Sequence, residues 1–300
     1  MTHSANAFAN AYDTNFKVLT KGFSHFEIPL FQAMHSSLIG LSGAFEVEEY
    51  HGTSHQVIFT GNGSYARMNA RCELSDLMII TFSSITRSAR LTYLQAKSER
   101  ATLGSVGGYK FAANLEQWYL LAKRPQLKGI GKFNPPLDLL SNALLPSVGS
   151  FAFFYKNSLG DFEAYYSTAD HLYPVSSYTQ RYGKLQAKDP CHVSNSLGYS
   201  ECRAACGNFS FAKSLYSLEI GTPVDSSASQ AMPTRNWLAS VLRYKIRQSQ
   251  QSDGQAGLAR ELLEILSAEN TNEEQAEFGA KQLLIIKSNF EPNDLLNQTR

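Results

Sequence analysis

This 300-residue chain has no long apolar run, few cysteines and a formal charge of only +1. Its main apolar stretches, Leu77–Ile80, Phe151–Tyr155 and Leu283–Ile286, fall far short of the roughly 20 residues that a membrane-crossing helix needs. The N-terminal "MTHSANAFANAYDTNF" has neither the basic nor the apolar segment of a secretory leader, so a cytoplasmic location with no membrane contact is expected. Four cysteines do not make a disulfide scaffold, and a cytoplasmic chain would keep them reduced. No G-x-S-x-G elbow and no HExxH helix occurs. "GIGKF" at 129–133 fails as a phosphate loop, because Gln126 stands where the first glycine is needed and Phe133 where Ser or Thr must bind the cation. There is no internal repeat.

What the chain does have is apolar and aromatic content: 43% hydrophobic residues, with 15 Tyr and 18 Phe, enough to build a substantial core. Its charges are unevenly spread. Between Arg67 and Lys132 eleven basic residues face four acidic ones, whereas from Asp253 to Arg300 nine acidic residues face four basic. The first stretch suits a polyanion such as nucleic acid, and Arg71, Arg100 and Lys110 are its candidate phosphate contacts. A solvated surface is the competing account, since spread charges need not share a face. The acidic C-terminal part, with "RELLEIL" as an apolar face, either packs on the rest of the chain or docks a protein partner or a second copy.

The pattern along the chain predicts a helix over 24–40, strands at "QVIFTG", "RCELSDLMIITFS" and "ARLTYLQAKSER", a turn at "SSITRS", a helix over 114–125 stopped by Pro125, and strands at "SFAFFYKNS" and "FEAYYSTA". That order implies an α/β layer structure with a mixed central sheet flanked by helices. Beyond about residue 175 the chain becomes loop-rich, "TPVDSSASQAMPT" resembles a linker, and helices are expected at "RNWLASVLRYKIRQSQ" and "LARELLEILSAE". "AKQLLIIKS" fits a strand or the end of a helix. The expected organisation is a domain over 1–175 and a mainly helical extension over 176–300.

Three polar residues in the apolar runs need a reason of their own. Gln95 and Lys97 are two apart, so on a strand they project to one face. If the run containing Asp76 pairs beside them, a carboxylate, an amide oxygen and an ammonium meet. A carboxylate, a second side-chain oxygen and a backbone carbonyl, here that of Ala96, suit Mg2+ or Mn2+. Such an ion acidifies a bound water and neutralises charge on a phosphodiester, while a lysine positions the water or stabilises the transition state.

Asp76, eighteen residues, then Gln95-Ala96-Lys97 resembles the PD-(D/E)xK nuclease superfamily, in the variant where glutamine replaces the second acid. The similarity covers about residues 24 to 170. It implies a restriction endonuclease-like core and metal-dependent cleavage of DNA, as in restriction enzymes, repair nucleases and effectors of bacterial anti-phage defence. By that resemblance Asp76, Gln95 and the Ala96 carbonyl hold the metal, Lys97 is the catalytic lysine, and Glu27 on the preceding helix is an outer ligand; Glu73 is the rival acid. Ser75 replaces the family's proline. Gln95 removes a negative charge from the site, so an inactive descendant that binds nucleic acid or a protein is the alternative. A structural zinc at Cys191, His192, Cys202 and Cys206 is a weaker proposition, because adjacent Cys and His are poorly spaced and no CxxC pair occurs.

Overall fold

The structure, a computed structural model, describes residues 4–42, 45–48, 56–60, 70–102, 110–131, 133–175, 181–187, 192–248, 253–266 and 280–289. In chain order the elements are α1 (Ala5–Thr20), α2 (Glu27–Ser42), β1 (Phe45–Glu48), β2 (Gln56–Phe59), β3 (Ala70–Glu73), β4 (Ser75–Ser83), β5 (Ser88–Thr102), β6 (Lys110–Asn114), α3 (Leu115–Lys123), β7 (Leu127–Gly129), β8 (Gly149–Lys156) and β9 (Phe162–Thr168). They continue with β10 (Leu172–Pro174), β11 (Tyr182–Ala187), β12 (His192–Ser196), β13 (Tyr199–Cys206), α4 (Gly207–Tyr216), β14 (Thr222–Pro223), α5 (Met232–Gln248), α6 (Asp253–Leu266) and β15 (Ala280–Ser288). No described helix is long and apolar enough to cross a membrane.

One large mixed sheet runs β1-β15-β4-β5-β8-β9-β13-β12, with β14 added on β5. The β4–β5 hairpin is antiparallel, β8 then returns parallel to β5, and β15 lies parallel to β4 on its other side. Two three-stranded sheets, β10-β11-β6 and β3-β2-β7, complete the fold.

Successive side chains on a strand point to opposite faces, and both faces of this sheet are buried. Leu77, Ile79, Leu94, Ala96, Phe154, Leu284 and Ile286 pack beneath α1, α2 and α4. Met78, Ile80, Leu91, Tyr93, Phe153, Leu283 and Ile285 pack beneath α3, α5 and α6. Two-sided burial explains why β4 is apolar throughout its middle instead of alternating. A one-residue slip would exchange the two sets, so the double core also holds the register.

Helix α1 escaped the sequence analysis. Ser4 caps it by accepting from the Ala7 N–H at 3.2 Å, and Phe8, Tyr12 and Phe16 form a buried stripe at four-residue spacing. Phe8 stacks on Tyr216 of α4 with ring centroids 4.7 Å apart, and Phe16 on Phe154 of β8 at 5.8 Å.

The expected boundary near residue 175 does not divide the sheet, because β13 pairs with β9 and β15 enters beside β4. The later half of the chain therefore supplies strands to the same core and is not a helical extension. The segment expected to be a linker is also built in: Thr222 and Pro223 pair with Leu91 and Arg90, and buried Asp225 accepts from the Ala89 N–H at 3.0 Å.

Helix α3 lies between β6 and β7 on the path from β5 to β8 and carries a residue into the site described below. Asn114 caps it through the Glu116 N–H, and Arg124 closes it in the left-handed conformation before Pro125. Trp118 donates its indole N–H to the Ala169 carbonyl at 2.9 Å. At Gly149 a Cβ would lie 2.8 Å from the Leu121 carbonyl oxygen, so only glycine lets the helix sit this close to the start of β8.

Candidate functional site

The β4–β5 ladder pairs Leu77 with Leu94, which places Asp76 next in line to Gln95. Both are buried, at 5% and 3% exposure. Asp76 Oδ2 accepts from the Ala96 N–H at 3.0 Å and from Gln95 Nε2. A buried carboxylate needs such donors, and these two fix its orientation.

Gln95 is itself held from α3. Gln117 Nε2 donates to the Glu73 carbonyl at 3.1 Å and to Gln95 Oε1 at 2.5 Å. Because the Glu73 carbonyl only accepts, the nitrogen end of Gln117 must face this way. Gln95 then turns its oxygen to Gln117 and its nitrogen to Asp76. This arrangement differs from the expected one, in which the Gln95 oxygen joins Asp76 in holding a cation; here Gln95 orients the carboxylate. Glu73 ends β3 in a separate small sheet, so it is not on Asp76's strand.

Lys97 donates from Nζ to the Ala96 carbonyl at 2.6 Å and pairs with Glu27 Oε1 at 3.3 Å. Glu27 is the first residue of α2, where the helix dipole favours a carboxylate. Residues far apart in sequence thus meet: Glu27 from a helix start, Asp76 from β4, and Gln95, Ala96 and Lys97 from β5.

Glu27, Asp76 and Ala96 share a cavity of about 280 Å3 with Ile28, Phe31, Gln32 and Gln282. Gln282 was not anticipated. It lies on β15, opposite Leu77 in the parallel ladder, and is 5% exposed. Among the described residues its Oε1 has no hydrogen-bond partner, and of the buried side-chain atoms in that condition it is the one on this cavity wall. The signal was present: "DLMII" and "QLLII" each set a polar residue ahead of four aliphatic ones. Gln117 left a fainter signal, as a polar residue on the face of α3 that packs inward.

The polar atoms at the cavity are of the class a hard divalent cation takes: the Asp76 carboxylate, the Ala96 carbonyl, which also accepts from Lys97, and the unpartnered buried amide oxygen of Gln282. Among the described residues no group of three or more His, Cys, Asp or Glu gathers to hold a metal, so any such site here draws on amide and carbonyl oxygens as well as carboxylate.

Part of the basic stretch is committed to the fold. Arg90 is buried and donates to the Gly221 carbonyl at 2.9 Å, with burial lowering its pKa to about 10. Arg87 donates to the Glu264 carbonyl, Arg124 to the Ala143 carbonyl, and Arg71 to the Gln56 side chain. Arg71, Arg100 and Lys110 lie on β3, β5 and β6, one in each of the three sheets. Lys110 is exposed; the side chain of Arg100 lies outside the described residues, as do Arg67 and Lys132.

For zinc, Cys191 and the His192 side chain lie outside the described residues. The β12–β13 ladder slips a residue between its His192–Ala204 and Val193–Cys202 pairs. That bulge turns Cys202 into the core beneath α1, α2 and α4, while Cys206 packs against the opposite one, so the two thiols do not converge.

Comparison with family models, with curated proteins and with solved structures finds no match to this chain.

Proposed function

We propose that the chain is a metal-dependent endonuclease that hydrolyses phosphodiester bonds in DNA. The observation that carries this reading is a buried carboxylate, Asp76, aimed by the Ala96 N–H and Gln95 into a cavity it shares with Ala96 and Glu27, with the Lys97 amine on the Ala96 carbonyl. The order hairpin, helix, parallel strand formed by β4, β5, α3 and β8 agrees with the restriction endonuclease-like core that the Asp76…Gln95-Ala96-Lys97 pattern resembles.

Asp76 and the Ala96 carbonyl are the residues that would hold Mg2+ or Mn2+, which when bound supplies an acidified water and neutralises phosphate charge. Gln95 acts through Asp76, as a positioning residue. Lys97 is the cation paired with Glu27 and bonded to the Ala96 carbonyl. As water adds to phosphorus and the ester P–O bond breaks, its ammonium stabilises the charge that grows on the phosphoryl oxygens. Glu27, which lines the cavity, holds the amine. From the resemblance alone we place the protein among defence effectors or partner-directed nuclease subunits.

Incubating purified protein with supercoiled plasmid in Mg2+, Mn2+ or EDTA tests this. The expected outcome is metal-dependent nicking that falls at least about 100-fold in both Asp76→Ala and Lys97→Ala. Cleavage that persists undiminished in EDTA or in both variants rejects the site.

One observation favours a second reading, a nucleic-acid or protein-binding module without catalysis: the neutral Gln95 spends its oxygen on Gln117. Such a module would bind DNA with a steep salt dependence and cut it under no metal condition.

A further inference from the structure

We infer that Gln282 is a third oxygen donor to the cation site, delivered by the C-terminal strand. The inference rests on the metal-dependent reading of Asp76. Its own ground is the unpartnered Oε1 of a side chain that is 5% exposed and stands on the wall of the cavity holding Asp76 and Ala96. Its parallel neighbour Leu77 is an aliphatic side chain buried in the core, with no polar atom to satisfy. A buried amide without a partner is costly, and a glutamine kept there is accounted for by a ligand to its oxygen.

The chemistry selects the ligand class. The neighbouring donors are a carboxylate and a backbone carbonyl, both hard oxygens, and an amide oxygen extends that set without adding charge. Magnesium and manganese accept such mixed donors, whereas zinc favours nitrogen and sulfur. In this arrangement Gln95 and Gln282 divide the work of two amides. Gln95 gives its nitrogen to orient Asp76, and Gln282 keeps its oxygen for the ion. The site is then complete only when β15 has docked beside β4, which ties cation binding to the last strand of the sheet.

Calorimetric titration of the full chain with Mn2+ decides the matter, comparing the native protein with Asp76→Ala, Gln282→Leu and Gln282→Glu, each checked for fold by circular dichroism and melting. Gln282→Leu is expected to weaken Mn2+ binding about 10-fold or more, and Gln282→Glu to tighten it through the added charge. Equal affinity in the native, Leu and Glu proteins, with binding lost in Asp76→Ala, overturns the role of Gln282 and leaves the Asp76 site standing. Absence of Mn2+ binding in the native protein overturns the Asp76 reading and this inference together. Should Gln282→Leu fail to fold, the isosteric Glu variant decides alone, and unchanged affinity in it overturns the inference.

Discussion

Strand β5 carries two buried polar clusters of similar extent with opposite hydrogen-bonding states. Around Arg90 lies a cavity of about 330 Å3 lined by Tyr199, Ser200 and Asp225, and around Asp76 one of about 280 Å3. Size does not separate them. At the first, Arg90 donates to the Gly221 and Ser200 carbonyls and lies 4.9 Å over the Tyr199 ring, while Asp225 accepts from the Ala89 and Ser227 N–H groups. Arg90 and Asp225 join β5 to the chain beyond residue 198, and Glu219 accepts from the Ser200 and Ser214 hydroxyls. At the second, the Gln282 oxygen is left over. The first cluster is closed by its own hydrogen bonds, whereas the second keeps one acceptor without a partner among the described residues.

The comparison breaks most readily at Asp225. Asp225→Ala strands the buried Ala89 N–H and removes the acceptor of Ser227, so we expect a loss of about 2–3 kcal/mol, read as a lower urea midpoint at unchanged slope. Mn2+ affinity and plasmid nicking should stay as in the native protein at temperatures where the variant is folded. A fall in metal affinity without unfolding would show that the two clusters are coupled.

Gln117→Leu sharpens the contrast from the other side. It removes the donor that turns the Gln95 amide, and with it the orientation of Asp76. We expect about a 10-fold loss of cleavage and of Mn2+ affinity together, against about 1 kcal/mol of stability. A stability loss with both activities intact would make Gln117 a fold residue like Asp225.

The smallest effect belongs to a pair that serves neither cluster. Lys287 Nζ lies 2.6 Å from Glu261 Oε2, joining β15 to α6. The Lys287 ammonium, opposed by partial burial and helped by the Ser84 hydroxyl, holds the Glu261 carboxyl below its ordinary range. A carboxyl whose folded pKa is lowered contributes stability above its unfolded pKa and loses it as pH falls through the folded one. Lys287→Met should therefore cost less than about 1 kcal/mol at neutral pH and soften the acid limb of the stability profile below the ordinary carboxylate range. An unchanged acid limb in urea titrations at stepped pH would rule out this contribution.

Much of the hairpin was legible in local pattern. β4, β5, α2, α3, β8 and β9 have apolar spacing, caps and a turn that identify them singly, and a tight antiparallel hairpin brings Asp76 beside Gln95 without help from elsewhere. Charge alone did not show which basic residues serve the fold: Arg90 and Arg124 donate to backbone carbonyls of the later chain. Cys202 and Cys206 are parted for a local reason: a bulge at residues 202–204 reverses the facing of side chains four apart. Helix α1 was legible too, in the four-residue spacing of Phe8, Tyr12 and Phe16 and the Ser4 cap, although it was not among the expected elements.

The amino-acid sequence by itself determined α2, β4, β5, α3, β8 and β9 and the Asp76–Gln95 meeting, because helix caps, strand alternation and a short turn are encoded within a few residues of where they act. Only the tertiary structure decided that Gln117 turns the Gln95 amide and that Gln282 reaches the same cavity. A parallel pairing between β4 and β15, some 200 residues apart in the chain, has no connecting turn to announce it. Its register is held by two buried faces that exist only once the whole sheet has assembled.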